Sequence, residues 1–312
     1  MSFSSDIKVE ICKSPLKEGA AKAQLCALFL MRASLNRSRT SMYLSFQTEN
    51  AAIAKHVYSL IKKEFNLTPQ LSVIKKMTLK KNNIYQVSTY GPVMDLLEEL
   101  TIMRESGLYT VPSYKLTRSE KNARAFLQGA FLAGGSINNP KTTNYHMEIS
   151  CGRQEMAEYI QKLMGRFNLP AKIIERKGNW VVYLKAGEKI GDFLKLVDAA
   201  QSLFEFEDAR IQRDFYNQMK RLDNCEVANE MKSIKAAEKQ LQAIRRLEES
   251  HISVPEKIAR VMEIRKKNPE ASMVELCDEV YLAYGETITK SGMKHRLAKI
   301  RSLAAALEEG KC

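Results

Sequence analysis

The sequence is short of the ligands of a zinc site and of the long apolar runs of a membrane protein. It has four histidines, six cysteines and one tryptophan in 312 residues. His56, His146, His251 and His295 form no H-x-x-x-H pair, and no C-x-x-C occurs, so no zinc-site spacing is present. The cysteines stand apart at Cys12, Cys26, Cys151, Cys225, Cys277 and Cys312, the pattern of a reduced cytoplasmic protein with free thiols. Cys26 and Cys277 fall inside apolar helical patterns and are expected in cores. No apolar run approaches the roughly 20 residues of a membrane span. The opening MSFSSDIKVEICKSP carries acids and lacks a long apolar core, so it is not expected to be a signal peptide. Carboxylates are missing from two stretches, between Glu18 and Glu49 and between Glu120 and Glu148.

Positive charge, in contrast, is abundant. Lys and Arg total 49 against 36 Asp and Glu, a net charge of +13, which favours a polyanionic partner such as nucleic acid. The balance of 45% hydrophobic and 27% charged residues is that of a globular chain, long enough for two or three domains.

A repeat organises the first two thirds. FLQGAFLAGGS (126–136) has an earlier partner in QLCALFLMRAS (24–34), with Leu25 matching Leu127 at an offset of 102. At the same offset Phe29 meets Phe131, Ser34 meets Ser136 and Tyr43 meets Tyr145, and Phe65-Asn66-Leu67 meets Phe167-Asn168-Leu169. Each copy starts with an apolar helix that carries small residues every fourth position, Ala23 and Ala27 in one, Ala125, Gly129 and Ala133 in the other. The second reads as a helix that ends in two glycines, Gly134 and Gly135. An alternating strand, an amphipathic helix, a hairpin and a second helix follow, giving α-β-α-β-β-α. Asn82-Asn83 and Lys177-Gly178-Asn179 supply the hairpin turns. Small residues on one helical face permit close approach, so the two helices are expected to pair about a pseudo-twofold axis. A small-residue face packed on its own sheet is the alternative.

A small-residue helix present twice, with a sheet behind it, resembles the LAGLIDADG homing endonucleases. Leu127, Gly129, Ala133 and Gly135 are identical to the nine-residue motif, while Leu25 to Ala33 matches more weakly, with Ala27 for glycine. The resemblance implies that the paired helices join the halves and that two sheets form a saddle over DNA. The family's eighth motif residue is a metal-holding carboxylate. That position is Arg32 in one copy and Gly134 in the other. Glycine offers no ligand and arginine repels a cation, so a scaffold without catalysis, and without cofactor or metal, is expected. A nuclease with displaced ligands would have to draw on Glu18, Glu49, Glu120 or Glu148. Lysines and arginines of the hairpins, Lys75, Lys76, Lys80 and Lys81 in the first and Lys172, Arg176, Lys177 and Lys185 in the second, are candidate phosphate contacts. Edge-strand protection from aggregation is the other reading.

From about residue 220 the pattern becomes helical. CEVANEMKSIKAAEKQLQAIRRLEES lacks Pro and Gly and reads as a linker helix over 220–251. Three shorter helices follow, one starting at Pro255, one with Ser272 and Glu275 as a capping box, and a basic one capped by Thr289. At 100° per residue, Met293, Leu297, Ile300, Ala304 and Leu307 share the core face of the last helix. Ser291, His295, Lys299 and Ser302 lie opposite, beside Gly292, and Lys290, Lys294, Arg296 and Arg301 flank them. Three helices with a basic third describe a helix-turn-helix, whose hydroxyls and His295 would meet base edges and whose cations would meet phosphates.

A degenerate LAGLIDADG repeat followed by NPEAS, TKSGMKHRL and the linking RLDNCEVANEMKSIKAAEKQ resembles the WhiA family of sporulation regulators in Gram-positive bacteria, over essentially the whole chain. The resemblance implies an α+β chain: a pseudo-twofold LAGLIDADG-like domain over 1–219, with repeats of about 20–110 and 120–210, then a long helix and an all-α helix-turn-helix over 252–312. It further implies a monomeric, nucleoid-associated regulator of sporulation and cell-division genes. The expected partners are double-stranded promoter DNA and RNA polymerase or another regulator, with no membrane. The repeat domain is left open as either a second DNA contact or a protein-docking module.

Overall fold

The computed structural model describes residues 2–38, 41–75, 83–142 and 144–308, in two units, Met1–Asp214 and Phe215–Cys312. The first unit opens with helix α1 (Phe3–Lys13), whose first turn is capped by the Ser2 hydroxyl accepting from the Ser5 N–H. The first repeat then runs α2 (Ala21–Arg32), β1 (Ala33–Arg37), β2 (Met42–Thr48), α3 (Ala51–Phe65), β3 (Gln70–Lys75), β4 (Asn83–Thr89) and α4 (Val93–Glu99). A small ribbon of β5 (Met103–Arg104) and β6 (Gly107–Leu108) precedes the second repeat. That repeat is α5 (Glu120–Gly134), β7 (Gly135–Ile137), β8 (Met147–Cys151), α6 (Gln154–Gly165), β9 (Lys172–Arg176), β10 (Asn179–Leu184) and α7 (Gly187–Leu196). The two antiparallel sheets have equivalent orders, β1-β2-β4-β3 and β7-β8-β10-β9.

Each copy therefore has one strand more than the α-β-α-β-β-α pattern. The extra strands, β1 and β7, start at the residue where the helix stops, with no turn between. Ala33 (φ −89°, ψ 152°) and Gly135 (φ −81°, ψ 149°) are already extended. No turn residue announces such a strand in the sequence, and Gly135 is not a left-handed helix end. The shared tripeptide, in contrast, marks equivalent helix ends: Asn66 and Asn168 are both left-handed, at φ 52° and 56°. The Tyr43–Tyr145 match slips by one residue. Tyr43 pairs with Asn36, whereas the Asn138 N–H bonds the carbonyl of His146.

Helices α2 and α5 pack directly together at the centre of the unit. Ala23, Leu25, Ala27, Ala125 and Leu127 are buried there. A methyl group on Gly129 would stand 2.4 Å from the Gln24 carbonyl oxygen and 2.9 Å from the Ala27 Cβ. The small-residue stripe is thus a helix-to-helix contact, as the repeat implied. The seam is not wholly apolar. Gln24 donates to Gln128 Oε1 (3.2 Å), Gln128 donates to the Val197 carbonyl (3.1 Å), and His56 Nε2 lies 2.6 Å from Gln24 Oε1. Burial lowers the His56 pKa, so the neutral ring donates from Nε2 to that oxygen. The buried amides of Gln24 and Gln128 thus both have partners, as burial requires.

The sheets lie against these helices through alternating residues: Leu44, Phe46 and Val87 in one, Met147, Ile149, Val182 and Leu184 in the other.

The long helix α8 spans Ala200–Glu249 and so begins well before residue 220. Residues 200–219 contain neither Pro nor Gly and continue the helix without a break. Its last turns belong to the second unit's core, where Ala243, Ile244 and Leu247 pack with α9 (Glu256–Lys267), α10 (Met273–Tyr284) and α11 (Lys290–Glu308). A boundary at 252 would cut through that core. Arg265 is buried here and donates to Gln240 Oε1 (2.9 Å) and the Ala271 carbonyl (2.6 Å), tying α8 to the turn between α9 and α10. The Ser272–Glu275 capping box is formed in both directions, and Thr289 Oγ1 accepts from the Gly292 N–H at 3.1 Å.

Replacing Gly129 with alanine should lower the denaturant midpoint of the first unit, at a cost of about 1–3 kcal/mol, the usual penalty of overpacking. Gly152, with nothing within 4 Å of its Cβ position, is the control. Equal midpoints for Gly129→Ala and Gly152→Ala would show that the seam can open without penalty.

Candidate nucleic-acid interface

The second unit presents the face expected of a recognition helix. Met293, Leu297, Ile300 and Ala304 of α11 are buried, and Leu307 is half-buried. Lys290, Ser291, Lys294, His295, Lys299, Arg301 and Ser302 are exposed, and the four cations among them have no acidic partner among the described residues. Gly292 is half-buried; a Cβ there would approach Ile288 Cγ2 to 3.2 Å, so glycine lets the chain turn tightly into α11.

Arg296 departs from expectation. Its guanidinium pairs with Glu286 in the turn between α10 and α11, and its side chain is only 18% exposed. Glu286 also lies 3.7 Å from Arg260 of α9. Hydrogen bonding to Arg296 holds the Glu286 carboxyl below its ordinary pKa. Arg296 therefore fixes the turn and its guanidinium is already engaged there.

In the first unit, the sheet faces turned away from the helices differ in chemistry. Register places Ser34, Ser45 and Ser88 in one row of the first sheet and Gln47 with Gln86 in the next, the latter two hydrogen-bonded at 2.8 Å. This face continues to Ile74 and Ile84 and is uncharged among the described residues; Ser45 and Ser88 are buried in it. In the second sheet the row Ser136, Glu148, Tyr183, Lys172 is followed two residues on by Ser150, Val181 and Ile174, and four residues on by Asn179 and Arg176. Glu148 is held by His146 Nε2 at 3.0 Å. Lys177 and Gly178 form the hairpin turn, both at positive φ (52° and 75°). Lys75 is the last described residue of β3, opposite Asn83, and points to the other face from Gln86. Lys76, Lys80 and Lys81 lie outside the described residues.

The helix ends that would carry the metal in a nuclease hold different groups. Arg32 donates from Nε to the Ala133 carbonyl across the seam, at 2.8 Å. Gly134 leaves no room for a side chain: its Cβ position is 2.4 Å from the Ser150 carbonyl oxygen. Among the described residues no three His, Cys, Asp or Glu side chains converge, and Glu18, Glu49, Glu120 and Glu148 are not brought together. Instead, Lys8 of α1 faces Arg32. Burial first, and the Arg32 charge second, push the Lys8 pKa down to about 8.

Three family models cover most of the chain: the WhiA N-terminal LAGLIDADG-like domain at residues 18–103, the WhiA LAGLIDADG-like domain at 123–216 and the WhiA C-terminal HTH domain at 219–304. A probable cell division protein WhiA of Staphylococcus aureus (strain USA300) is 41% identical over 313 residues, covering 99% of this chain and 98% of its own. The protein of that name in Staphylococcus carnosus (strain TM300) is 40% identical with the same coverage. The chain belongs to the WhiA family. The crystal structure of full-length WhiA from Thermatoga maritima has the same fold, with a TM-score of 0.60, 23% identity and 98% of each chain covered. WhiA domain boundaries explain the helical run: the family's HTH model begins at 219, inside α8 rather than after it.

The sequence reading passed over α1, although Phe3, Ile7 and Ile11 at helical spacing mark a buried face. The Ser4 hydroxyl donates to the Ile137 carbonyl (2.7 Å) and accepts from its N–H (2.8 Å), pinning the helix to the free edge of β7. The Glu10 carboxylate caps the start of α8 through the Gln201 and Ser202 N–H groups at 2.6 and 3.0 Å.

The two cationic roles on α11 separate experimentally. Lys294→Ala should leave thermal stability unchanged and reduce the slope of log affinity against log salt by about 1. Arg296→Met should lower the melting temperature of the helical unit, because it strands Glu286, and leave that slope nearly intact. A reversed pattern would return Arg296 to the interface.

Lys8 makes a pH prediction. Below about pH 8 the ammonium is charged in the folded and the unfolded chain, and its burial cost is fully present. As pH rises towards 10.5, the unfolded chain holds more protons, so stability rises with pH. Lys8→Met should raise neutral-pH stability by on the order of 1 kcal/mol and flatten this rise. Unfolding curves identical to wild type across pH 7–10 would show that Lys8 is not strained.

Proposed function

We propose that this protein is a DNA-binding transcription regulator of sporulation and cell-division genes, acting as a cytoplasmic, nucleoid-associated monomer whose LAGLIDADG-like domain does not cut DNA. One observation carries the reading: the third helix of the helical unit exposes Ser291, His295, Lys299 and Ser302, flanked by Lys290, Lys294 and Arg301 without acidic partners. Hydroxyl and imidazole groups can read base edges while the cations hold phosphates. The relatives' name, probable cell division protein, supports the class of target genes. Loss of cleavage rests on Arg32 and Gly134, since a carboxylate at residue 134 would have to displace the carbonyl of Ser150.

The uncharged face of the first sheet favours a second reading for the repeat domain, as a surface that docks a protein such as RNA polymerase or another regulator. Ser34 and Gln47, exposed polar groups of its rows, suit neutral hydrogen bonding better than phosphate. The cations of the second sheet, Lys172 and Arg176 with Lys177 at its turn, favour DNA.

Anisotropy titrations of the full chain test both. His295→Ala and Lys299→Ala should weaken a selected promoter duplex by about 1 kcal/mol or more and random duplex much less. Equal losses on both would remove base reading from this face. Lys172→Gln combined with Arg176→Gln should reduce the salt slope by about 2 if the second sheet grips phosphates. An unchanged slope would leave the repeat to a protein partner.

A further inference from the structure

A cleft of about 1250 Å³ opens beside the seam of the first unit. One wall is α1, with Ser5 and Lys8; the other is the first repeat, with Arg32, Thr48, Tyr85 and the start of α3 at Asn50. Lys8 makes no hydrogen bond or ion pair among the described residues; its ammonium lies 5.9 Å from the centre of the Phe131 ring. Arg32 spends only Nε, on Ala133, and its two terminal nitrogens bond nothing else described. The carboxylate lining the cleft, Glu49, is engaged with another group and does not act on Lys8. Two cations thus share a cleft with no ion pair to either among the described residues, and the start of α3 adds the positive end of a helix dipole.

This arrangement is costly in a folded protein. A half-buried ammonium beside a guanidinium loses hydration and gains repulsion, and a polar or apolar side chain there would be cheaper. Costly, unpaired charge in a cleft marks a place where a ligand supplies the missing charge. The wall is built to stay in position: Ser4 holds β7, Glu10 caps α8, and Phe3 stacks on Phe206 at 6.4 Å between centroids.

We infer that this cleft binds a phosphorylated small molecule, its phosphate oxygens held by Lys8 and Arg32 where the endonucleases hold a metal ion. The volume is above the roughly 300–1,000 Å³ typical of small-molecule sites, so a nucleotide fits and a bare phosphate leaves most of it empty. The hydroxyls of Ser5, Thr48 and Tyr85 and the Asn50 amide are at hand for sugar or base. The assignment goes beyond the promoter reading and does not depend on α11.

Calorimetric titration of the full-length protein with ATP, pyrophosphate and inorganic phosphate tests it. Saturable binding at one site per chain is expected for ATP and pyrophosphate. Lys8→Gln and Arg32→Gln should each weaken it by about tenfold or more, and Lys8→Arg should restore most of it. Lys172→Gln, on the second sheet, should leave it unchanged. Melting curves of each variant check folding, and the conservative Lys8→Arg keeps the test decisive if Arg32→Gln unfolds the seam. No saturable binding of any probe up to about 10 mM overturns the proposal. So does binding that Lys8→Gln and Arg32→Gln leave intact. If a short random duplex displaces ATP, and the two variants lose duplex affinity as much as ATP affinity, the phosphate comes from the DNA backbone and the small-molecule assignment falls. Promoter selectivity set by His295 and Lys299 would be untouched in every case, which separates failure here from failure of the regulator reading.

Discussion

Contact between the backbones of α2 and α5 governs the first unit. With Gly129 2.4 Å, at its Cβ position, from the Gln24 carbonyl oxygen, the two helices stand as close as main chains allow. That closeness brings their C-terminal ends together, so Arg32, the last residue of α2, reaches the Ala133 carbonyl at the end of α5. The last carbonyls of a helix have no partner within it, and a cation from the facing helix satisfies one of them. Because β1 and β7 leave the helices without a turn, the spacing of the seam is passed directly to both sheets. Any side chain that widened the seam would shift the two sheets relative to each other.

The same closeness explains the polar chain at its heart. Across helices so near, Gln24 and Gln128 come within hydrogen-bond reach, and their amides satisfy one another. Val197 and His56 complete the set at either end. Such a chain gives the seam a single register, since sliding one helix along the other would break every bond in it at once.

Much of this was legible in residues 24–34 and 126–136. Small residues at i, i+4 and i+8, repeated at a fixed offset, are the signature of close helix packing, and the capping box at Ser272 and Glu275 is a local rule that long-range packing did not override. The extra strands were not legible, because Ala33 and Gly135 carry no turn chemistry. Arg296 was misassigned because a helical wheel gives direction and not the position of Glu286, which comes from the preceding turn. Lys8 was invisible for a similar reason: its significance depends on Arg32, which is far from it in sequence and adjacent only when α1 lies against α5.

Arg32 and Gly134 also form a coherent pair. Gly134 lets α5 pack against Ser150 with no side chain between. Arg32 places a cation where helix-end carbonyls welcome one. That contact accounts for Arg32 and leaves Lys8 unexplained. A second positive charge, half-buried and without an ion pair among the described residues, adds repulsion there, and the Phe131 ring 5.9 Å away offsets only part of its cost. Lys8 and Arg32 make the site positive, and the ion that balances a positive site is an anion.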